Sequence, residues 1–146
     1  MKNEKDDYLK YWRVVRYFIK AKYKLNTADL DMLLFLYSES YFSKDKFKEF
    51  NELLSWDVHR FDRLLRDGWI EVFRKRSGKT KGLYKLAYRT NRMIDSMYKK
   101  LSGEEIPTAK SKNPIFLKNV GYNHKVYRNM IIEMNNFIKQ QRHHPE

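Results

Sequence analysis

Residues 50–86 read FNELLSWDVHRFDRLLRDGWIEVFRKRSGKTKGLYKL, and this stretch decides the fold. From Trp56 to Arg66 the apolar positions Val58, Phe61, Leu64 and Leu65 recur at helical spacing, which predicts a short amphipathic helix. Ser55 stands where an N-cap is needed, and Gly68 where a left-handed residue ends the helix. With the apolar side turned inward, Trp56, His59, Arg60 and Arg63 are expected on the outer side, with Asp57 and Asp62 among them. Trp69-Ile70 opens a strand in which Ile70 and Val72 point in and Glu71 points out. The following RKRSGKTKG, residues 74–82, carries five basic side chains and reads as a turn around Gly78. Leu83, Tyr84 and Leu86 form the return strand. Helix, stop and cationic hairpin follow one another without a break.

Working outward, the chain is helical on both sides. Tyr8, Leu9, Tyr11, Trp12, Val15, Phe18 and Ile19 form an aromatic stripe on a first helix. A second helix follows Asn26-Thr27, with Thr27 as its expected cap, Asp29 and Asp31 in the first turn, and an apolar run MLLFLY that suits a central position. Ser40–Ser43 breaks the pattern. A third helix begins with Ser43 as cap and carries Phe47, Phe50, Leu53 and Leu54. Beyond the hairpin, Met93, Ile94, Met97, Tyr98 and Leu101 mark a fifth helix that Ser102-Gly103 ends. Residues 104–122 are irregular and hold two prolines, yet Ile115, Phe116 and Leu117 imply that part of this segment is pinned to an apolar surface. A last helix runs from about Asn123 to Gln140. Residues 1–7 and the tail RHHPE are polar, and fraying is expected in the first of them.

The chain's 146 residues bound one domain with a real core, and 42% hydrophobic content makes it globular despite 34% charge. Scarce glycine and proline disfavour β-sandwich and disordered classes. No cysteine is present, which excludes disulfides, thiolate zinc sites and cysteine nucleophiles. No apolar run approaches a membrane span, and the first residues, MKNEKDDYLK, lack the apolar core of a secretion signal, so a cytoplasmic location is expected and a membrane partner is not. The net charge of +13 is uneven: residues 1–53 carry +2, residues 54–92 carry +7 and residues 93–146 carry +4. Such clustering implies a polyanion partner, because grouped Lys and Arg gain entropy by displacing counterions from phosphates.

The fold class expected is mainly α, a winged helix-turn-helix built of a three-helix core and a two-stranded wing, with additional N- and C-terminal helices. The element order resembles that of the MarR-like winged-helix transcription regulators. The likeness covers roughly residues 26–101 and is carried by FDRLLRDGWIEV, similar to that family's passage from recognition helix through glycine to wing strand, and by YKLAYRTNRMIDSMYKKLSGE, similar to its exit into the fifth helix. The resemblance implies a homodimeric regulator of transcription. Two departures matter. Leu86-Ala87 stands where the family has a Leu-Thr pair, and its wing Asp and Arg fall near Gly78 and Thr80. Lys79, Lys81 or Arg76 must then replace the wing-tip arginine, which makes phosphate contact the expected role of the wing.

On this reading Ser55, Trp56, His59, Arg60 and Arg63 face the major groove, where arginine pairs with guanine through two parallel hydrogen bonds. The competing reading pairs Arg60 and Arg63 with Asp57 and Asp62 as surface ion pairs. Arg74, Lys75, Arg76, Lys79, Thr80 and Lys81 form the wing's contact surface with double-stranded DNA. Residues 1–146 make a single winged-helix domain, with core and wing at 26–87 and dimerisation helices at 8–24 and 89–140. Tyr8, Tyr11, Trp12, Val15, Tyr127, Met130 and Met134 are expected at the dimer interface, since their stripes exceed what one small core buries. His59, His124, His143 and His144 show no metal-ligand spacing, and no glycine phosphate loop or nucleophile motif occurs, so neither an enzyme nor a cofactor is expected. No residue pattern specifies a small-molecule effector. The alternatives are a winged helix used for protein interaction or as a structural module, for example a phage factor docking on host machinery, and a non-specific nucleic-acid binder.

Overall fold

A computed structural model describes residues 8–143; the polar segments 1–7 and 144–146, with His144, lie outside the described residues. The order is α1 (Tyr8–Tyr23), α2 (Thr27–Tyr37), α3 (Lys44–Asn51), α4 (Arg60–Arg66), β1 (Ile70–Arg74), β2 (Leu83–Leu86), α5 (Tyr88–Leu101), a 3₁₀ turn at Pro114–Phe116 and α6 (Tyr122–His143). The chain divides into two compact units. Asn26–Asp95 is continuous, and the other unit brings together the segments that flank it, described over residues 8–25 and 96–143.

The continuous unit is a winged helix-turn-helix. Asn26, not Thr27, caps α2: its backbone is extended and its side-chain oxygen accepts from the Asp29 N–H at 2.7 Å. Leu30, Met32, Leu33 and Leu36 are buried along α2, as its apolar run predicts. Ser43 caps α3 as expected, accepting from the Lys46 N–H at 3.2 Å. The helix stops at Asn51, so Leu53 and Leu54 belong to the connection rather than to the helix.

β1 and β2 pair antiparallel, with Ile70 opposite Leu86 and Val72 opposite Tyr84. Arg74 then faces Leu83, which makes Phe73 the extra residue of a bulge. Val72, expected inside, keeps its regular register with Ile70 but is exposed, as is Phe73 beside it. Gly82 is required by close approach: a Cβ there would stand 3.3 Å from the Arg74 carbonyl and the Arg76 nitrogen. A further pairing was not legible in the sequence. Phe42 and Tyr84 exchange backbone hydrogen bonds of 2.9 and 2.8 Å, which tie the α2–α3 link to the wing. Edge-on contacts of Phe61 with Phe47 at 5.1 Å and with Tyr84 at 4.9 Å join α3, α4 and β2.

In the discontinuous unit α1 packs on α6 and on the 3₁₀ turn, burying Val14, Val15, Phe18 and Ile19. The irregular segment before α6 is pinned at Ile115, as expected, and also at Ile106, while Leu117 is exposed. Its backbone polar groups are satisfied by α6 side chains, since buried peptide groups left unpaired would be costly. Asn135 donates to the Ile106 carbonyl and accepts from its N–H, both at 2.9 Å. Arg128 donates to the carbonyls of Ile115 and Leu117 at 2.9 Å.

Candidate nucleic-acid interface

The helix predicted from Trp56 is shorter at its start. α4 is a seven-residue helix beginning at Arg60, and the residues before it form a turn. Ser55 does not cap it. Its hydroxyl accepts from Arg60 at 3.2 Å, while the Asp57 carboxylate accepts from the His59 N–H at 2.9 Å. Gly68, at a φ of +79°, ends the helix as predicted. Arg89 completes that end by donating to the carbonyls of Asp67 and Gly68 while its guanidinium lies 3.9 Å over the Trp69 ring.

Arg60 is the main correction. It is not on the outer face but only 1% exposed, because it stands four residues before buried Leu64 on the same side of α4. Its Nε donates to Asp29 at 2.9 Å, and its other donors reach the Asn51 side chain and both the carbonyl and hydroxyl of Ser55. Arg63 lies nearer the surface, clamping both Asp29 oxygens at 2.7 and 3.0 Å and the Asp57 carboxylate at 2.8 Å. The competing surface-pair reading was therefore right about Arg63 and Asp57 but missed Asp29, the carboxylate that both arginines share. Asp29 could have been found. It precedes Met32, Leu33 and Leu36 at helical spacing, which puts an acid on a buried face where it needs a cationic partner. Two carboxylates and two guanidiniums thus form a charge-balanced network that runs from the core to the surface and fixes the turn between α3 and α4.

The Arg63 hydrogen bond, helped by the His59 N–H, holds the Asp57 carboxyl below its ordinary range. A carboxyl depressed in this way contributes stability that is in place above its unfolded pKa, about 3.9, and is lost as pH falls through the lower folded value. Asp57→Asn is therefore expected to flatten the acid limb of the stability curve below about pH 4. Urea midpoints measured across that range read it, and an acid limb identical to that of the parent would count against the assignment.

With Arg60 and Arg63 engaged, α4 turns His59, Asp62 and Arg66 outward, and the turn before it exposes Trp56 and Val58. Val58, expected inside, is 60% exposed because the helix starts after it. The wing tip is tight: Ser77 and Thr80 exchange backbone hydrogen bonds of 3.1 and 2.9 Å around Gly78 at a φ of +56°. Arg74 donates to the Lys81 carbonyl at 3.0 Å, Arg76 leans on the Gly78 carbonyl, and Lys75 and Lys79 are exposed. Lys81 is bound to Asp45 at 2.5 Å, which holds the Asp45 carboxyl low. Between the N-terminal end of α3 and the wing lies a cleft of about 440 Å³ lined by Lys44, Lys48, Arg76, Lys79 and Lys81, with Asp45 as its acidic member. The structure thus joins the wing cations to two α3 lysines that the sequence did not single out. Their signal was the KDKFK pattern, in which Lys44 and Lys48 share one helix face.

Of the residues expected at a dimer interface, Val15 and Met134 are buried within this single chain, which leaves neither for a partner. Tyr8 is exposed, and Tyr11, Trp12, Tyr127 and Met130 are half-buried. Tyr127 stacks on Tyr17 at 3.7 Å, and the Tyr17 hydroxyl hydrogen-bonds His124 at 2.6 Å. Among the described residues no group of three His, Asp or Glu is placed to hold a metal, and no helix is long and apolar enough to cross a membrane.

No family model matches the chain, and no curated protein matches it. Two solved structures are similar to it. One is a mutant MarR from E. coli complexed with operator DNA, 17% identical, with a TM-score of 0.45 and an alignment covering 86% of this chain and 84% of that one. The other is disulfide-formed AbfR, 15% identical, with a TM-score of 0.46 and coverage of 90% and 86%.

Proposed function

We propose that the chain binds double-stranded DNA, as a homodimeric regulator of transcription, through the edge formed by α3, the turn before α4, α4 itself and the wing. The observation that carries this reading is the cleft between α3 and the wing. Four of its cations, Lys44, Lys48, Arg76 and Lys79, stand exposed at its walls, and its one carboxylate is already neutralised by Lys81. Cations arranged on two walls of a groove suit a phosphate backbone, which positions a protein without reading sequence. α4 is expected to sit in the major groove, with Trp56, His59 and Arg66 toward the bases and Arg60 and Arg63 behind them. Dimerisation is supported by apolar side chains left exposed in the discontinuous unit, chiefly Tyr8, Leu9 and Tyr122.

A second reading, a protein-interaction module, is favoured by exposed Tyr41 in the α2–α3 link and exposed Phe73 on the wing, whose ring centroids lie 4.0 Å apart. Fluorescence anisotropy with a labelled AT-rich duplex separates the two. Binding is expected at about 50 mM salt and should weaken steeply as salt rises. No binding at that salt sinks the DNA reading and leaves the interaction module. Light scattering at micromolar concentration is expected to give twice the chain mass, and a monomer mass removes the dimer.

A further inference from the structure

We infer that the apolar turn between α3 and α4 reads the 5-methyl group of thymine in the major groove, so that methylated pyrimidines are preferred; this rests on the DNA-binding reading above. Trp56 is 89% exposed, Leu53 73% and Val58 60%, three apolar side chains within six residues on one connection. Apolar groups presented together on a surface mark a contact site. Their place says what the contact is. Val58 lines a small cleft with Lys44 and Lys48, where Asp57, held by Arg63, and Asp62 are the acidic members, and those two lysines also line the cleft that opens toward the wing. Through Val58 the apolar turn borders the cations assigned to phosphate, which is the charge complementarity a duplex requires.

The polar means of reading bases are few here. Arg60 is buried and Arg63 is held by two carboxylates, so bidentate guanine recognition by either is lost. A major groove offers one apolar feature among its donors and acceptors, the thymine methyl, and 5-methylcytosine carries the same group. An apolar turn at the entrance to α4 has that group as its matching partner. Ser55 and Asp57, flanking Trp56, are fixed by the arginine network, so the turn meets the groove in one shape.

The test uses the full chain and two pairs of duplexes. One pair is AT-rich, identical except that uracil replaces every thymine; the other is GC-rich, with cytosine or 5-methylcytosine. Removing the methyls is expected to weaken binding about fourfold for each methyl that the turn covers, and methylating cytosine to strengthen it by a similar factor. A Trp56→Ser/Val58→Ser double variant, altered only at exposed positions, should bind both members of each pair equally while keeping the parent's urea midpoint. Equal binding of thymine and uracil duplexes by the parent overturns the inference and leaves DNA binding standing. Undiminished discrimination by the double variant overturns it too, since the methyls would then be read elsewhere. Failure to bind any duplex overturns both readings.

Discussion

Arg60→Ala is expected to lower the chain's unfolding free energy by about 2–3 kcal/mol, the cost of stripping a buried carboxylate of one of its two cations and leaving buried acceptors unpaired, with Arg63 still on Asp29. The Asp29 and Arg60 side chains are 6% and 2% exposed and 2.9 Å apart, so water can replace neither partner. Truncation also takes a donor from the Asn51 side-chain oxygen and from the Ser55 carbonyl. Arg60→Lys is expected to recover little, because one ammonium cannot serve four acceptor atoms placed around a planar fork. Replacing both, as Asp29→Leu with Arg60→Met, should restore only part of the stability, since Arg63 then loses Asp29 and keeps Asp57 alone. Urea denaturation of the four proteins decides it. A loss under about 1 kcal/mol for Arg60→Ala would mean that the pair behaves as a surface bridge.

A second large effect is expected on duplex affinity. Replacing Lys44, Lys48, Arg76 and Lys79 together with alanine should reduce the slope of log K against log salt by about 3.6 for each chain on the duplex. Between about 50 and 200 mM salt the parent would then lose affinity roughly 10²-fold more than the variant for each such chain. All four side chains are solvent-exposed, so folding should be little changed, and the urea midpoint serves as the control. An unchanged slope would place the phosphate contacts elsewhere. Lys81 is left out of the set because Asp45 already holds it.

The fold was legible where one local rule decides each element. Ser43 and Gly68 act within a turn of their own helix, and the hairpin is signalled by nine contiguous residues. The candidate site was legible only in part, for a physical reason. Whether Arg60 faces a groove or a carboxylate depends on Asp29, 31 residues earlier, and nothing local to α4 announces that partner. Reading the helix from Trp56 rather than Arg60 also put Val58 inside, whereas Trp56 and His59 are exposed as expected. The bulge at Phe73 is hidden in the same way, since alternation alone cannot show where a strand carries one residue too many.

The division of the chain into one continuous and one interrupted unit has a consequence for how the protein is made. Residues 26–95 can complete their contacts as soon as they leave the ribosome, because every partner named for Arg60, Arg63 and the wing lies inside that segment. α1 emerges first but packs on α6, a partner synthesised about a hundred residues later. Val14, Val15, Phe18 and Ile19 must therefore wait, uncovered, through most of synthesis. The winged helix should be the early-folding body, and the closing of α1 against α6 the late, long-loop step whose entropy cost the rest of the chain has by then reduced.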